Sequence, residues 1–111
     1  MMQEIEQTHR VDTKGNPAGG FTRGRGIEIR WQDGPLRVDA DGAPATERVP
    51  NGAFVEGVIQ AAIGRLEHYN STKFRCRENS LAVTKLEEAI HWLQHRTADR
   101  ERRGVEGSHH L

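Results

Sequence analysis

The chain of 111 residues lacks the features of secreted, disulfide-bonded and membrane-spanning proteins. Its single cysteine, Cys76, has no partner for an internal disulfide, and we expect a structural thiol in a reducing compartment. The first residues are polar and contain no apolar segment typical of a signal peptide. No apolar run approaches the length needed to cross a bilayer. We therefore expect a cytoplasmic protein that makes no membrane contact.

The chain also carries no net formal charge. Lysine plus arginine and aspartate plus glutamate number 16 each, so the formal charge is zero with neutral histidines. A protein that follows a nucleic-acid backbone needs a basic surface many phosphates long. The balance argues against a polymeric nucleic acid as the partner. It permits a small anionic ligand, because a pocket needs only a few focused charges.

Large apolar groups are scarce as well. Hydrophobic residues make up 34% of the chain and aromatic residues 5%. A chain of this size and composition builds one modest core and leaves apolar surface uncovered. Association of several copies is a common way to cover such surface. We therefore expect a homo-oligomer.

The first half of the sequence predicts a lead-in followed by a small sheet. Residues 1–20 contain several glycines and a proline among polar residues, which predicts a mobile segment. Residues 21–49 contain turn signals and an alternation typical of a half-buried strand. The alternating apolar residues are Ile27, Ile29 and Trp31. With a return strand at residues 36–38, the pattern predicts a small antiparallel sheet.

Residues 50–111 predict a helical hairpin with a C-terminal tail. Apolar residues of the first helix recur at the i, i+3, i+4, i+7 spacing of an amphipathic helix, which ends near Asn70. A second helix should begin near Asn79 or Ser80, either of which can cap it. The connection is short, so the helices should pack antiparallel. The predicted fold class is α+β, with an N-terminal antiparallel sheet before a two-helix hairpin.

Arginines are concentrated near the end of the second helix. Arg96 and Arg100 are four residues apart, project the same way and can each bind phosphate oxygens with two hydrogen bonds. Cations also complement a helix C-terminus, but that effect does not explain a row of three that includes Arg103. Tyr69 offers a ring on which a base could stack, although taken alone it is more simply a residue of the hairpin seam. Tyr69 and Arg96 would lie at opposite ends of an antiparallel hairpin, so one shared site would need two subunits.

Catalysis and metal binding have weaker support in the sequence. His91 and His95 share a helix ridge with Glu87, but no HExxH or paired-cysteine motif accompanies them, and a solvated helix face is the simpler interpretation. Cys76 stands in no recognisable nucleophile motif. Nothing resembles a phosphate-cradling glycine loop. We predict a protein that is not an enzyme and that has no cofactor and no metal site.

Three segments carry a resemblance to a known family. They are GIEIRWQDGPL, NGAFVEGVIQAAIGRLEHYN and CRENSLAVTKLEEAIHWLQHRTADRERRGVEGSH. These segments resemble the first-described type of phage sponge protein that counters the Thoeris defence. The resemblance runs from about Gly24 to His109. The hairpin is shared with phage sponges that counter the CBASS defence, while WQDGPL points to the anti-Thoeris branch, which has a sheet before its hairpin.

The resemblance implies sequestration of an immune signal in the cytoplasm of an infected bacterium. Members of the family bind glycocyclic ADP-ribose, a cyclised isomer of ADP-ribose, and leave it intact. Some also bind CBASS cyclic dinucleotides or trinucleotides, the trinucleotides in a separate pocket, and the proteins form dimers that assemble into hexamers. By position in the motif, Tyr69 should stack a base, Asn79 should form a hydrogen bond, and Arg96 and Arg100 should hold phosphates.

Two other functions are compatible with the residues. An enzyme that degrades cyclic nucleotide signals would need a general base or a metal that the sequence does not show. A structural or protein-binding hairpin would leave its arginines solvated.

Overall fold

The computed structural model describes residues 4–34 and 50–102. Three strands precede two helices: β1 (Ile5–Val11), β2 (Pro17–Gly24), β3 (Ile27–Arg30), α1 (Val55–Asn70) and α2 (Arg77–Arg102). This order confirms the predicted α+β class. The chain divides after Phe54 into a sheet unit and a helical unit. Neither helix is both long and apolar enough to cross a membrane.

The three strands form an antiparallel sheet in the order β1-β2-β3. Phe21 of β2 lies opposite Thr8 of β1 and Arg30 of β3, which fixes the register across the sheet. Only Arg25 and Gly26 connect β2 to β3. Gly26 has a φ angle of 82°, a left-handed conformation that a residue with a side chain rarely adopts. The tight turn therefore depends on this glycine.

The prediction of a mobile lead-in at residues 1–20 was wrong, because β1 and the first half of β2 lie there. One of its glycines, Gly20 of β2, lies where the backbones of β1 and β2 come close together. A Cβ atom at Gly20 would lie 2.0 Å from the carbonyl oxygen of Thr8 on β1. Glycine interrupts strand propensity, but here it permits the strands to pair.

A polar network connects β1, β2 and the residue that follows β3. Thr22, only 4% exposed, donates a hydrogen bond from Oγ1 to Gln7 Oε1 at 3.0 Å. The same Oγ1 accepts a hydrogen bond from Trp31 Nε1 at 2.9 Å. The predicted strand at residues 27–31 is confirmed as β3 up to Arg30, with Trp31 forming a separate bridge to Ala53. The predicted return strand at residues 36–38 lies outside the described residues.

The chain returns to the end of β3 at Asn51 and Gly52. Gln32 Oε1 accepts hydrogen bonds from the backbone N–H groups of Asn51 at 2.9 Å and Gly52 at 3.3 Å. Asn51 in turn accepts from Asp33 N–H at 2.8 Å and donates to the Asp33 carbonyl at 2.9 Å. A Cβ atom at Gly52 would lie 2.5 Å from the Trp31 carbonyl group, so this approach also depends on glycine.

The two helices pair antiparallel, and the predicted hairpin is confirmed. Contacts join the end of α1 to the start of α2, and the start of α1 to the last turns of α2. α2 begins at Arg77, so the predicted capping by Asn79 or Ser80 was wrong, because both lie within its first turn. The side chain of Asn70 instead accepts the backbone N–H of Cys76 at 3.3 Å. The predicted stop at Gly104 lies outside the described residues.

No apolar side chain in the described ranges is fully buried. The apolar residues of α1 and α2 that face each other are half-buried, since a pair of helices has a seam but no second layer. Trp92 on α2 is 62% exposed, and Phe74 in the connection is 67% exposed. These large apolar groups remain available for contact with another molecule.

Candidate functional site

The four predicted ligand-binding residues lie in pairs at opposite ends of the hairpin. Tyr69 is in the last turn of α1 and Asn79 in the first turn of α2, at the end where the helices are joined. Arg96 and Arg100 lie near the other end of α2, where Arg96 approaches Glu56 in the first turn of α1. Asn79 and Arg96 lie roughly 25 Å apart along α2, at a helical rise of about 1.5 Å per residue. Within one chain, the two pairs are not brought together.

At the joined end, Asn79 is held by two acceptors. Its Nδ2 donates to Asn70 Oδ1 at 3.2 Å and to the Phe74 carbonyl at 3.3 Å. Asn70 donates from its own Nδ2 to Ser80 Oγ at 3.1 Å. The half-buried Asn79 side chain is therefore tied both to α1 and to the connection between the helices.

Tyr69 is 38% exposed, and a cation lies over its ring. The guanidinium of Arg65, one helical turn earlier, lies 4.9 Å from the ring centre. The His68 ring lies 6.2 Å from the Tyr69 ring between centroids, at an interplanar angle of 49°. A cation over an aromatic face is attracted by the ring quadrupole, so Arg65 favours this position of the tyrosine.

The connection beside Tyr69 adds further positive charge. Lys73 Nζ lies 5.5 Å from the centre of the Phe74 ring. Arg75 and Arg77 are exposed on the same short stretch. An anionic ligand near this end of the hairpin would meet an attractive local field.

At the other end, Arg96 lies beside an acidic residue. Its Nη2 is 3.7 Å from Glu56 Oε1, with the two side chains 57% and 35% exposed. Arg100, one turn further along α2, is half-buried. Arg102 pairs with Asp99 at 3.1 Å. The arginines of α2 therefore differ in their surroundings, and Arg100 is more enclosed than Arg96.

Sequence reasoning missed three residues that contact the predicted set. Arg65 stands four residues before Tyr69, a spacing that places two side chains on one helix face and could have indicated the contact. Asn70 was expected only to end a helix, yet it binds Asn79. Glu56 has no local sequence signal, because its contact with Arg96 depends on how the antiparallel helices align.

His91 and His95 surround an exposed tryptophan. Their rings make edge contacts with Trp92, each at 6.0 Å between centroids. Within residues 4–34 and 50–102, no three histidine, cysteine or acidic side chains are grouped so that they could hold a metal ion. Cys76 is half-buried next to the start of α2.

These features define an α+β protein whose helical hairpin carries arginines at one end and an aromatic–amide pair at the other. A sequence model of the Acb2/Tad1 hairpin domain matches residues 24–98, and the chain belongs to this family. The family predicted from the sequence is thus confirmed. The match includes Tyr69, Asn79 and Arg96, while Arg100 lies just beyond its end.

A relative comes from a bacteriophage. The protein named Thoeris anti-defense 1, from Bacillus phage SBSphiJ7, is 53% identical over 66 residues. The aligned part covers 60% of this chain and 46% of the relative. The chain therefore matches about half the length of that protein.

Proposed function

We propose that this protein is a phage anti-defence sponge that binds glycocyclic ADP-ribose and sequesters it, without cleavage, in the cytoplasm of the infected host. The identity of 53% to a protein named for anti-defence against Thoeris carries the proposal. Membership of the Acb2/Tad1 hairpin family supports it. Guanidinium groups and an aromatic ring are groups that suit a ligand with phosphates and a base.

The proposed pocket forms between two copies of the chain. Tyr69 and Asn79 of one copy would face Arg96 and Arg100 of a second copy. The separation of roughly 25 Å within one chain supports this arrangement, because a compact cyclic nucleotide does not bridge it. The exposed apolar groups of the hairpin supply surface for the association.

Sequestration requires tight binding and no chemistry. A sponge that competes for a signal at sub-micromolar concentration needs a dissociation constant of about 1–100 nM, roughly −10 to −12 kcal/mol. Two guanidinium groups can each form paired hydrogen bonds with phosphate oxygens, and a stacked base adds apolar contact in an enclosed pocket. None of these contacts needs a general base or a nucleophile.

Calorimetric titration followed by ligand recovery tests the proposal. Glycocyclic ADP-ribose should bind the wild type, and heating the complex should release it unchanged. Recovery of a cleaved product would identify an enzyme. Absence of binding would favour the alternative function, a structural or protein-binding hairpin. The double variant Arg96→Ala/Arg100→Ala serves as a control that should not bind.

The same titrations decide whether CBASS cyclic dinucleotides and trinucleotides are also ligands. The family resemblance implies a separate pocket for the trinucleotides. A cyclic trinucleotide should then bind in the presence of saturating glycocyclic ADP-ribose. Displacement of one ligand by the other would show a single shared site.

Assembly is tested by light scattering. We expect dimers or hexamers, because Trp92 is 62% exposed and no apolar side chain in the described ranges is fully buried. The variant Trp92→Gln should shift the assembly towards smaller species. A stable monomer at micromolar concentration would contradict both the oligomer and the shared pocket.

A further inference from the structure

The carboxamide of Asn79 has a fixed polarity. Rotating an asparagine carboxamide by about 180° about its Cβ–Cγ bond exchanges the positions of its NH2 donor and its oxygen acceptor. Its hydrogen-bond partners therefore decide which atom points outward. Both Nδ2 hydrogens of Asn79 have acceptors, at Asn70 Oδ1 and at the Phe74 carbonyl. The opposite orientation would place Asn79 Oδ1 against two oxygens. It would also remove the Asn79 donor from Asn70 Oδ1 and from the Phe74 carbonyl.

Backbone groups anchor this polarity at two points. The Phe74 carbonyl can only accept, which fixes Asn79 directly. The Cys76 backbone N–H can only donate, which fixes Asn70 Oδ1 as the acceptor that Asn79 contacts. Ser80 Oγ accepts from Asn70 Nδ2 at 3.1 Å and completes the arrangement. The orientation of Asn79 therefore follows from main-chain chemistry rather than from a choice between equal alternatives.

We propose that Asn70 is a positioning residue that commits Asn79 to present its carbonyl oxygen, so that the site takes a hydrogen-bond donor of the ligand. The inference rests on the proposed function, in which Asn79 contacts the bound nucleotide. No hydrogen bond to Asn79 Oδ1 occurs among the described residues, so this oxygen can accept one. A ligand atom with only lone pairs would meet repulsion there.

Two groups of a cyclic ADP-ribose isomer can supply the donor. One is the exocyclic amine of adenine, and the other is a ribose hydroxyl. The amine presents an N–H hydrogen to an acceptor, and the hydroxyl presents an O–H hydrogen. A ring nitrogen with a lone pair has no such hydrogen, and a phosphate oxygen has none either. The proposed site therefore favours a donor-bearing edge of the nucleoside, whichever of the two lies against Asn79.

Matched ligands separate the two sources. The probes are glycocyclic ADP-ribose, its counterpart with a carbonyl oxygen in place of the adenine amine, and a counterpart that lacks one ribose hydroxyl. We expect one of these changes to weaken binding to the wild type by about 10- to 100-fold, since a buried acceptor is left without its donor. The same change should cost little in Asn79→Ala, which has no acceptor to leave unsatisfied.

Variants of the network test the role of Asn70. Asn70→Ala removes one of the two acceptors of Asn79 Nδ2 and leaves the Phe74 carbonyl, so the polarity of Asn79 is held less firmly. Discrimination between the amino and oxo ligands, or between the hydroxyl and deoxy ligands, should therefore fall below the wild-type value. Ser80→Ala removes one bond of Asn70 but keeps both partners of Asn79 Nδ2, and its discrimination should match the wild type. Loss of affinity without loss of discrimination in Asn70→Ala would indicate a merely structural role and overturn the inference.

Failure of the inference and failure of the proposed function are distinguishable. Wild-type protein that binds glycocyclic ADP-ribose through Arg100 but is indifferent to every donor deletion overturns only the polarity inference. Wild-type protein that binds no cyclic nucleotide overturns both. If Asn70→Ala does not fold, the ligand series on wild type and Asn79→Ala still decides whether Asn79 accepts a hydrogen bond from the ligand.

Discussion

Replacing Glu56 by glutamine should tighten the binding of a phosphate ligand and slightly destabilise the hairpin. Glu56 Oε1 lies 3.7 Å from Arg96 Nη2, so the carboxylate partly neutralises a guanidinium that is proposed to hold phosphates. A phosphate that arrives at Arg96 is attracted by the arginine and repelled by Glu56. Glutamine keeps the size of the side chain and removes its charge, which separates the two effects.

The magnitudes follow from distance and exposure. Arg96 is 57% exposed, and an ion pair so accessible to water contributes about 0.2–1 kcal/mol to stability. A phosphate charge on the far side of the guanidinium would lie roughly 7 Å from the carboxylate, where repulsion in a water-like to intermediate dielectric is about 0.6–1.2 kcal/mol. Physiological salt screens about half of this at such a distance, which leaves about 0.3–0.6 kcal/mol, so we expect binding to tighten roughly 1.5- to 3-fold.

Glu88→Gln provides the matched control. Glu88 pairs with Lys85 at 3.7 Å, the same length as the Glu56–Arg96 pair, and its partners are also exposed. The variant Glu88→Gln should lower stability by no more than Glu56→Gln does, and it should leave ligand affinity unchanged. Urea unfolding and calorimetric titration at low and physiological salt measure both quantities. Weaker binding in Glu56→Gln would refute the electrostatic argument and show that the carboxylate acts by orienting Arg96.

Further substitutions at four positions have defined outcomes. Arg100→Ala should lose about 2–5 kcal/mol of ligand binding, and Arg100→Lys should also bind more weakly, while urea unfolding barely changes. Unchanged affinity would remove Arg100 from the site. Arg65→Ala should weaken ligand binding by about 0.5–1 kcal/mol in calorimetry, because the cation 4.9 Å from the Tyr69 ring is lost; equal affinity would show that this ring needs no such support. Gly64→Ala should raise helix stability by about 0.5–1 kcal/mol in urea unfolding, since no atom lies within 4 Å of the new Cβ. Gly52→Ala should instead disrupt the sheet unit, because its Cβ would lie 2.5 Å from the Trp31 backbone. Tolerance of Gly52→Ala would contradict the close approach.

The elements predicted correctly are those whose own side chains carry the pattern. The apolar spacing of α1 and α2 and the alternation in β3 are local properties, because each reflects one face turned towards a neighbour. β1 and β2 have no such alternation. Their pairing uses the buried hydroxyl of Thr22 between Gln7 and Trp31, and a close approach at Gly20 that local propensity treats as an interruption. Those contacts join distant parts of the chain and leave no periodic trace.

The predicted ligand residues show the same division. Arg96 and Arg100 follow from helix geometry together with the chemistry of guanidinium groups, and the family resemblance added the roles of Tyr69 and Asn79. The structure added Asn70 and Glu56. Asn70 acts across the turn between the helices, and Glu56 acts across the seam, so both depend on the alignment of α1 with α2. A single sequence contains the helices but not that alignment.

Under the proposed function, ligand binding and assembly have one physical origin. Two helices form a seam without a second layer, which leaves large apolar groups exposed and keeps the arginine end away from the tyrosine end. A second copy would cover the apolar groups and also bring the missing half of each pocket. Ligand that binds only the assembled form stabilises it by mass action, so affinity should fall when the protein is diluted below its association threshold. The same linkage requires the ligand to shift dilute protein towards the larger species, since both effects express one coupling free energy.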